Sequence, residues 1–258
     1  MRRSALVALA LLVTLALAGS ARAEVERVGD IVVSVDGGIS PRALPRSGAA
    51  PVTVTLDSTF KSAEGVDPPP QLRTIAVGIN QGGTIFDRGL PTCRVRRIQP
   101  TTIKAARRIC GSAIVGSGHV QVRVHLASQA PFTFKGPLLV FHAKPADGHR
   151  RLLAQVYGRK PPSAFVLTFN VFEKQGTFGT VIKTTLPKPA RQWAYVTHFD
   201  MKLRRVYTYE GQKRSFISAG CAAPEGFPGA VYPFARANFG FAENQHVVTT
   251  LIRDCTVS

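Results

Sequence analysis

Three groups of residues in this sequence are of types and spacings that could do chemistry. Cys93, Cys110, Cys221 and Cys255 could hold a metal, supply a thiolate nucleophile, or pair as disulfides. His198 and Asp200, in "WAYVTHFDMKLRRVY", stand two residues apart. On an extended strand they would share one face with Val196 and Lys202, offering a base with its orienting carboxylate or two metal ligands. Arg94, Arg96, Arg97, Arg107 and Arg108 crowd into "PTCRVRRIQPTTIKAARRICG" and could grip a polyanion.

The cysteines are decided by compartment and spacing. The chain opens "MRRSALVALALLVTLALAGSARA": Arg2 and Arg3, an apolar run from Ala5 to Ala18, then Ala21-Arg22-Ala23. That is the charge, apolar core and small-x-small order of a secretory signal peptide, predicted to span residues 1–23. The alternative is an uncleaved anchor, but the run falls short of the ~20 apolar residues that span a bilayer. An exported chain with four cysteines reads as a disulfide framework. Zinc sites of four cysteines come as two close pairs, and neither pair here is close. No local motif gives a catalytic thiol its histidine. Of the three possible connectivities, Cys93–Cys110 with Cys221–Cys255 is the simplest.

Stepping out from the cysteines, "TTIKAARRICG" puts Ile103, Ala106 and Cys110 on one helical face, with Thr101 or Thr102 as cap and Gly111 as stop. The glycine-rich "GSAIVGSGH" that follows reads as a turn leading into a strand. It lacks the G-K-[ST] of a phosphate-binding loop and no helix starts after it. The rest is strand-like. "GHVQVRVHL" alternates Val120, Val122, Val124 and Leu126 inward with Gln121, Arg123 and His125 outward. "DIVVSV", "PVTVTLDSTF", "LRTIAVGI" and "HVVTTLIRDCTV" are rich in branched residues between Gly and Pro. Hairpins are expected at Gln175-Gly176 and Glu210-Gly211. The pattern predicts an all-β chain, an antiparallel β-sandwich or jelly-roll-like fold with one short helix between the first two cysteines, forming a single domain over 24–258. Two small sandwiches divided near Gly158–Pro162 are the other possibility.

Composition narrows the partners. Lys and Arg number 33 against 15 Asp and Glu, a net charge of +18. Outside the cytoplasm such an excess favours phospholipid head groups, anionic wall polymers or acidic glycans. Nucleic acid is not expected, since zinc-finger and RNP-type patterns are missing. No metal or cofactor is expected either. His119, His125 and His142 would make a metal patch only in a strand register that nothing in the sequence fixes. No G-x-S-x-G or H-E-x-x-H motif occurs, and no carboxylate pair stands out for glycosidase work. The aromatic stretch "FPGAVYPFARANFGFAENQ", with Phe227, Tyr232, Phe234, Phe239 and Phe241, could stack a sugar but more often closes a β core. Trp193 reads as core.

The ordered series "GGISPRALPR", "APVTVTL", "GLPTC", the C-x16-C-G-S-A-I-V-G-S-G turn, "VTHFDMKLRRVYTYEGQKRSFISAGC" and "TTLIRDCTV" resembles a family of uncharacterised exported proteins of the actinobacterial type, over most of residues 29–257. The resemblance implies a secreted or envelope-associated β-rich protein and brings no site residues with it. The functional expectation is therefore a non-enzymatic extracytoplasmic protein. Its basic surface would bind an anionic envelope polymer, a membrane surface or a protein. The alternative is a hydrolase of envelope carbohydrate or lipid acting through His198 and Asp200.

Overall fold

Period-two alternation of branched residues becomes strand throughout the computed structural model, which describes residues 23–159, 162–188 and 192–258. The expected leader, Ala23 apart, lies outside the described residues. In the first long strand Ile31, Val33 and Val35 are buried while Val32, Ser34 and Asp36 are half-exposed, the signature of a sheet with one face on a core.

In chain order the strands are β1 (Glu24–Val28), β2 (Ile31–Ser40), β3 (Ala43–Leu44), β4 (Ala50–Pro51), β5 (Thr53–Ser62) and β6 (Leu72–Ile79). Next come β7 (Gly83–Ile85), β8 (Ile114–Leu126), β9 (Gln129–Ala146), β10 (His149–Arg159), β11 (Pro162–Glu173) and β12 (Thr180–Thr185). The series ends with β13 (Ala194–Leu203), β14 (Val206–Tyr209), β15 (Gln212–Ser215), β16 (Ile217–Ala219), β17 (Gly229–Phe241) and β18 (His246–Val257). Thirteen of them form one sheet in the order β1-β2-β5-β13-β8-β9-β10-β11-β12-β6-β17-β18-β3. Every contact in it is antiparallel except the short β18–β3 pair. Short sheets β4-β16-β7 and β14-β15 sit beside it. The antiparallel all-β architecture is as the alternation predicts, with the facing layers supplied by one sheet curled on itself. Gly158 and Ser163 pair across the point where a two-domain division was conceivable.

Curling brings the ends of the sheet together. Arg253 of β18, its side chain 8% exposed, reaches β1 and β2: Nη1 donates to Glu24 Oε1 at 2.7 Å, Nη2 to Asp36 Oδ1 at 2.9 Å, and Nε to the Gly37 carbonyl. Phe60 of β5 packs against Phe239 and Phe241 of β17 at centroid distances of 4.9 and 6.0 Å, and against Phe199 of β13 at 5.9 Å. Strands distant in the sheet order thus share one core, and three residues of the aromatic stretch, Phe234, Phe239 and Phe241, belong to it. Phe227 does not; it is 59% exposed.

Two glycines expected in a turn are within β8 instead. A Cβ on Gly118 would stand 2.0 Å from the Asp200 carbonyl oxygen of β13, and one on Gly116 would stand 2.7 Å from that of Lys202. The strands approach too closely there for any side chain, and that approach tightens the curl. Their run reads as a turn in sequence because close packing and turning both select glycine.

Between the cysteines the chain leaves the sheet. A single helical turn, α1 (Val95–Ile98), precedes helix α2 (Ile103–Cys110), which runs into a 3-10 turn at Gly111–Ala113. Thr102 is the cap, its Oγ1 accepting from Ala105 N–H at 3.2 Å. Gly111 keeps right-handed helical dihedrals and so does not stop the helix by a left-handed turn. Ile98, Ala106 and Cys110 pack with Leu139, Phe141 and Leu153 on the convex face of β9 and β10. Buried Gln155 of β10 donates to the Ile98 and Thr101 carbonyls at 2.8 and 2.9 Å, fastening the excursion from below. Cys93–Cys110 and Cys221–Cys255 are both disulfides, in the simplest connectivity, and no free cysteine occurs among the described residues. By loop-closure entropy they contribute about 3 and about 4 kcal/mol.

Candidate functional site: an apolar cavity inside the curled sheet

The inward faces of the strands do not fill the space they enclose. Alternation aims Val120 and Val122 of β8, Leu138 and Val140 of β9, and Leu152, Ala154 and Val156 of β10 toward the interior, where β6, β12, β13 and β17 face them. The walls leave a cavity of about 330 Å³. Native interiors are close-packed, with few voids larger than a water molecule. A space of this size is therefore a clear departure from a filled core.

The lining is hydrocarbon almost throughout. Thr55 and Gln99 are the polar residues along it, and no charged residue contributes to it among the described residues. Water in such a space makes few hydrogen bonds, so an apolar occupant gains both burial and contact.

The cavity has an opening, and the ladder pattern shows where. β11 pairs with β12 only over Asn170–Glu173, whereas β12 stays with β6 over its full length. Between Pro162 and Phe169, β11 therefore has no paired strand on that side among the described residues; a side-chain bond, Thr184 Oγ1 to the Thr168 carbonyl at 2.8 Å, crosses the gap. Phe165, Leu167 and Phe169, on this free length, line the cavity yet remain half-exposed, as does Trp193. Leu186 and Pro187 line it on the β12 side. Val166 and Gln99 line it too, although Val166 packs with the helical cluster, so the opening continues past β11 to the segment between α1 and α2. Trp193, expected in the core, packs against it half-exposed and also lines the cavity.

The residues singled out for chemistry lie elsewhere. A bulge between Val196 and His198 separates them: Val196, Phe199 and Met201 line the cavity, whereas His198 and Asp200 occupy the convex face. His198 and Asp200 pair outward rather than with each other. His198 Nε2 is 3.0 Å from Asp57 of β5, and His119 Nδ1 is 3.2 Å from Asp200. His125 meets Asp67 at 3.0 Å; Arg123 donates to the same carboxylate and holds its pKa below the ordinary value, with His125 adding to the effect. His142 is buried, its Nδ1 3.1 Å from the Pro91 carbonyl and its Nε2 3.5 Å from Asp87. His142 and then Arg150 lower the Asp87 pKa against the opposing effect of burial. His119, His125 and His142 thus go to three different carboxylates, and no metal-binding cluster is present among the described residues.

Arg94, Arg96, Arg97, Arg107 and Arg108 are all exposed on the helical excursion. None of them forms an ion pair among the described residues.

No protein-family model, curated protein or solved structure matches the chain.

The cavity escaped sequence reading for a physical reason. Inward Val, Leu, Ile and Phe at period two look the same whether the opposite wall touches them or stands a cavity's width away. The one available signal was small residues at inward positions, Ala154 and Ala235, where a filled core would more often place a larger side chain.

Proposed function

We propose that the protein is an extracytoplasmic, non-catalytic binding protein that holds a neutral apolar molecule, or the hydrocarbon part of an amphiphile, inside its curled sheet. The observation that carries this reading is the cavity of about 330 Å³ with uncharged walls and a gap in the sheet leading to it. The volume lies in the range of small-molecule sites, ~300–1,000 Å³. A chain entering it gains ~0.8 kcal/mol for each methylene removed from water. The location is supported by the leader-like N-terminus, the two disulfides and the resemblance to exported proteins. No helix among the described residues is long and apolar enough to cross a membrane.

The test is direct. Protein purified without detergent is extracted with organic solvent, and the extract is analysed by mass spectrometry. Delipidated protein is then titrated with an environment-sensitive fluorescent fatty acid and competed with the recovered compound. Saturable binding at one site, with displacement, is expected. Absence of any saturable uptake of fatty acids, isoprenoids or sterols by folded, delipidated protein would remove the proposal.

A further inference from the structure

We propose that the helical excursion between Cys93 and Cys110 is a docking face for anionic membrane surfaces, placed so that the cavity opening meets the lipid when the protein binds. The inference rests on the apolar-ligand reading for its purpose, though not for its geometry.

The face is built from three observations. First, Arg94, Arg96, Arg97, Lys104, Arg107 and Arg108 are all exposed, and residues 91–113 contain no acidic residue to neutralise them. Second, Val95 and Ile109 are exposed among these cations, at 38% and 36%. Cations interleaved with exposed apolar side chains suit the boundary between head groups and acyl chains, where charge attracts and the apolar groups insert. A purely polymeric polyanion gives Val95 and Ile109 nothing to bury them, which favours a lipid surface. Third, the face is fastened beside the opening. The Cys93–Cys110 disulfide, the Ile98–Ala106 packing and the Gln155 hydrogen bonds hold it on β9 and β10. Gln99, between the two helices, lines the cavity opening itself. A surface that held the arginines would therefore stand beside the gap along β11.

Each cation near an anionic surface adds a modest attraction that salt screens. Flotation with phosphatidylcholine vesicles, with and without phosphatidylglycerol, reads it out. The protein is expected to float with the phosphatidylglycerol vesicles at about 0.1 M salt, and to be released at about 0.5 M. Combining Arg96→Glu, Arg97→Glu, Arg107→Glu and Arg108→Glu should weaken vesicle binding at least about tenfold, while changing the same four residues to Lys should retain it. The fluorescent fatty acid, titrated in solution, should bind the Glu variant as it binds the wild type, showing that the fold and cavity survive. Equal binding to neutral and anionic vesicles, or undiminished binding by the folded Glu variant, overturns the docking face. Binding to soluble dextran sulfate without binding to phosphatidylglycerol vesicles also overturns it, in favour of a polymer partner. If the fatty acid fails to bind while charge-dependent flotation persists, the cavity reading falls and the docking face stands.

Discussion

Ala154→Leu discriminates a real cavity from a packed core by the sign of its effect. Ala154 sits in the middle of β10, is 3% exposed, and pairs with Val140 on one side and Leu167 on the other. All three residues line the cavity. Extra carbon in a close-packed interior forces neighbours off their rotamers, costing ~1–3 kcal/mol. Extra carbon projecting into a void meets no such resistance. The substitution adds three carbons, so at ~0.8 kcal/mol each the ligand-free protein gains up to about 2 kcal/mol. For a chain of this size that raises Tm by roughly 4–8 °C. The assay is urea and thermal unfolding of delipidated protein, since a retained ligand would stabilise the wild type by mass action and hide the difference. Ala154→Phe, which puts a ring into the same space, should weaken fatty-acid binding about tenfold, or ~1.4 kcal/mol. If Ala154→Leu instead lowers stability by more than about 1 kcal/mol and Ala154→Phe leaves binding intact, the interior is filled and the argument from volume is refuted.

Other perturbations probe the frame around the cavity. Arg253→Ala leaves Glu24 and Asp36 without their shared cation where the sheet ends meet, and should cost about 2–3 kcal/mol in chemical denaturation. Replacing Cys93 and Cys110 together by Ser should cost about 3 kcal/mol and speed hydrogen exchange in α1 and α2 before the rest of the sheet. Acid should destabilise the fold through Asp87, Asp67 and Asp30, whose pKa values lie below the ordinary 3.8. A depressed carboxylate stabilises the folded state above its unfolded pKa, and that contribution fades as pH falls through the lower, folded value. Asp87→Asn should therefore flatten the stability profile below about pH 4, as read by thermal melts across acidic buffers. Converting His198 to Ala should leave fatty-acid binding unchanged, because its ring points away from the cavity toward Asp57.

How much of this was legible in the sequence depends on whether the information was local. Strand identity was, because burial on one face imposes period two, as Val120, Val122 and Val124 show in β8. The two hairpins were as well: Gly176 at φ +100° in the longer β11–β12 loop, and Glu210-Gly211 at φ +50° and +71° in the tight β14–β15 turn, need conformations that few residues tolerate. That the cysteines form disulfides was legible from their even count and the leader-like N-terminus; which of the three connectivities they adopt was not. What was not legible is non-local. The bulge that sends Val196 inward and His198 outward depends on registry with β8, which nothing between Ala194 and Leu203 encodes. Likewise the close approaches at Gly116 and Gly118 are to atoms of Leu203, Lys202 and Asp200, more than eighty residues away in β13.

The same distinction separates the two surfaces that carry the functional argument. Arginines gathered by a helix between paired cysteines are adjacent in sequence, so their clustering is visible before any fold is known. The cavity is a property of how far apart opposite walls come to rest, fixed by where the sheet closes and where it parts. Closure rests on Arg253 and the Phe60 cluster at one side of the curl, and parting rests on β11 leaving β12 upstream of Asn170 at the other. A filled β core would need β11 and β12 joined and larger inward residues at Ala154 and Ala235. Among the described residues β11 and β12 part at that side, and a disulfide and a buried glutamine fasten basic helices next to the gap; on the two proposals above, opening and cations are parts of one device.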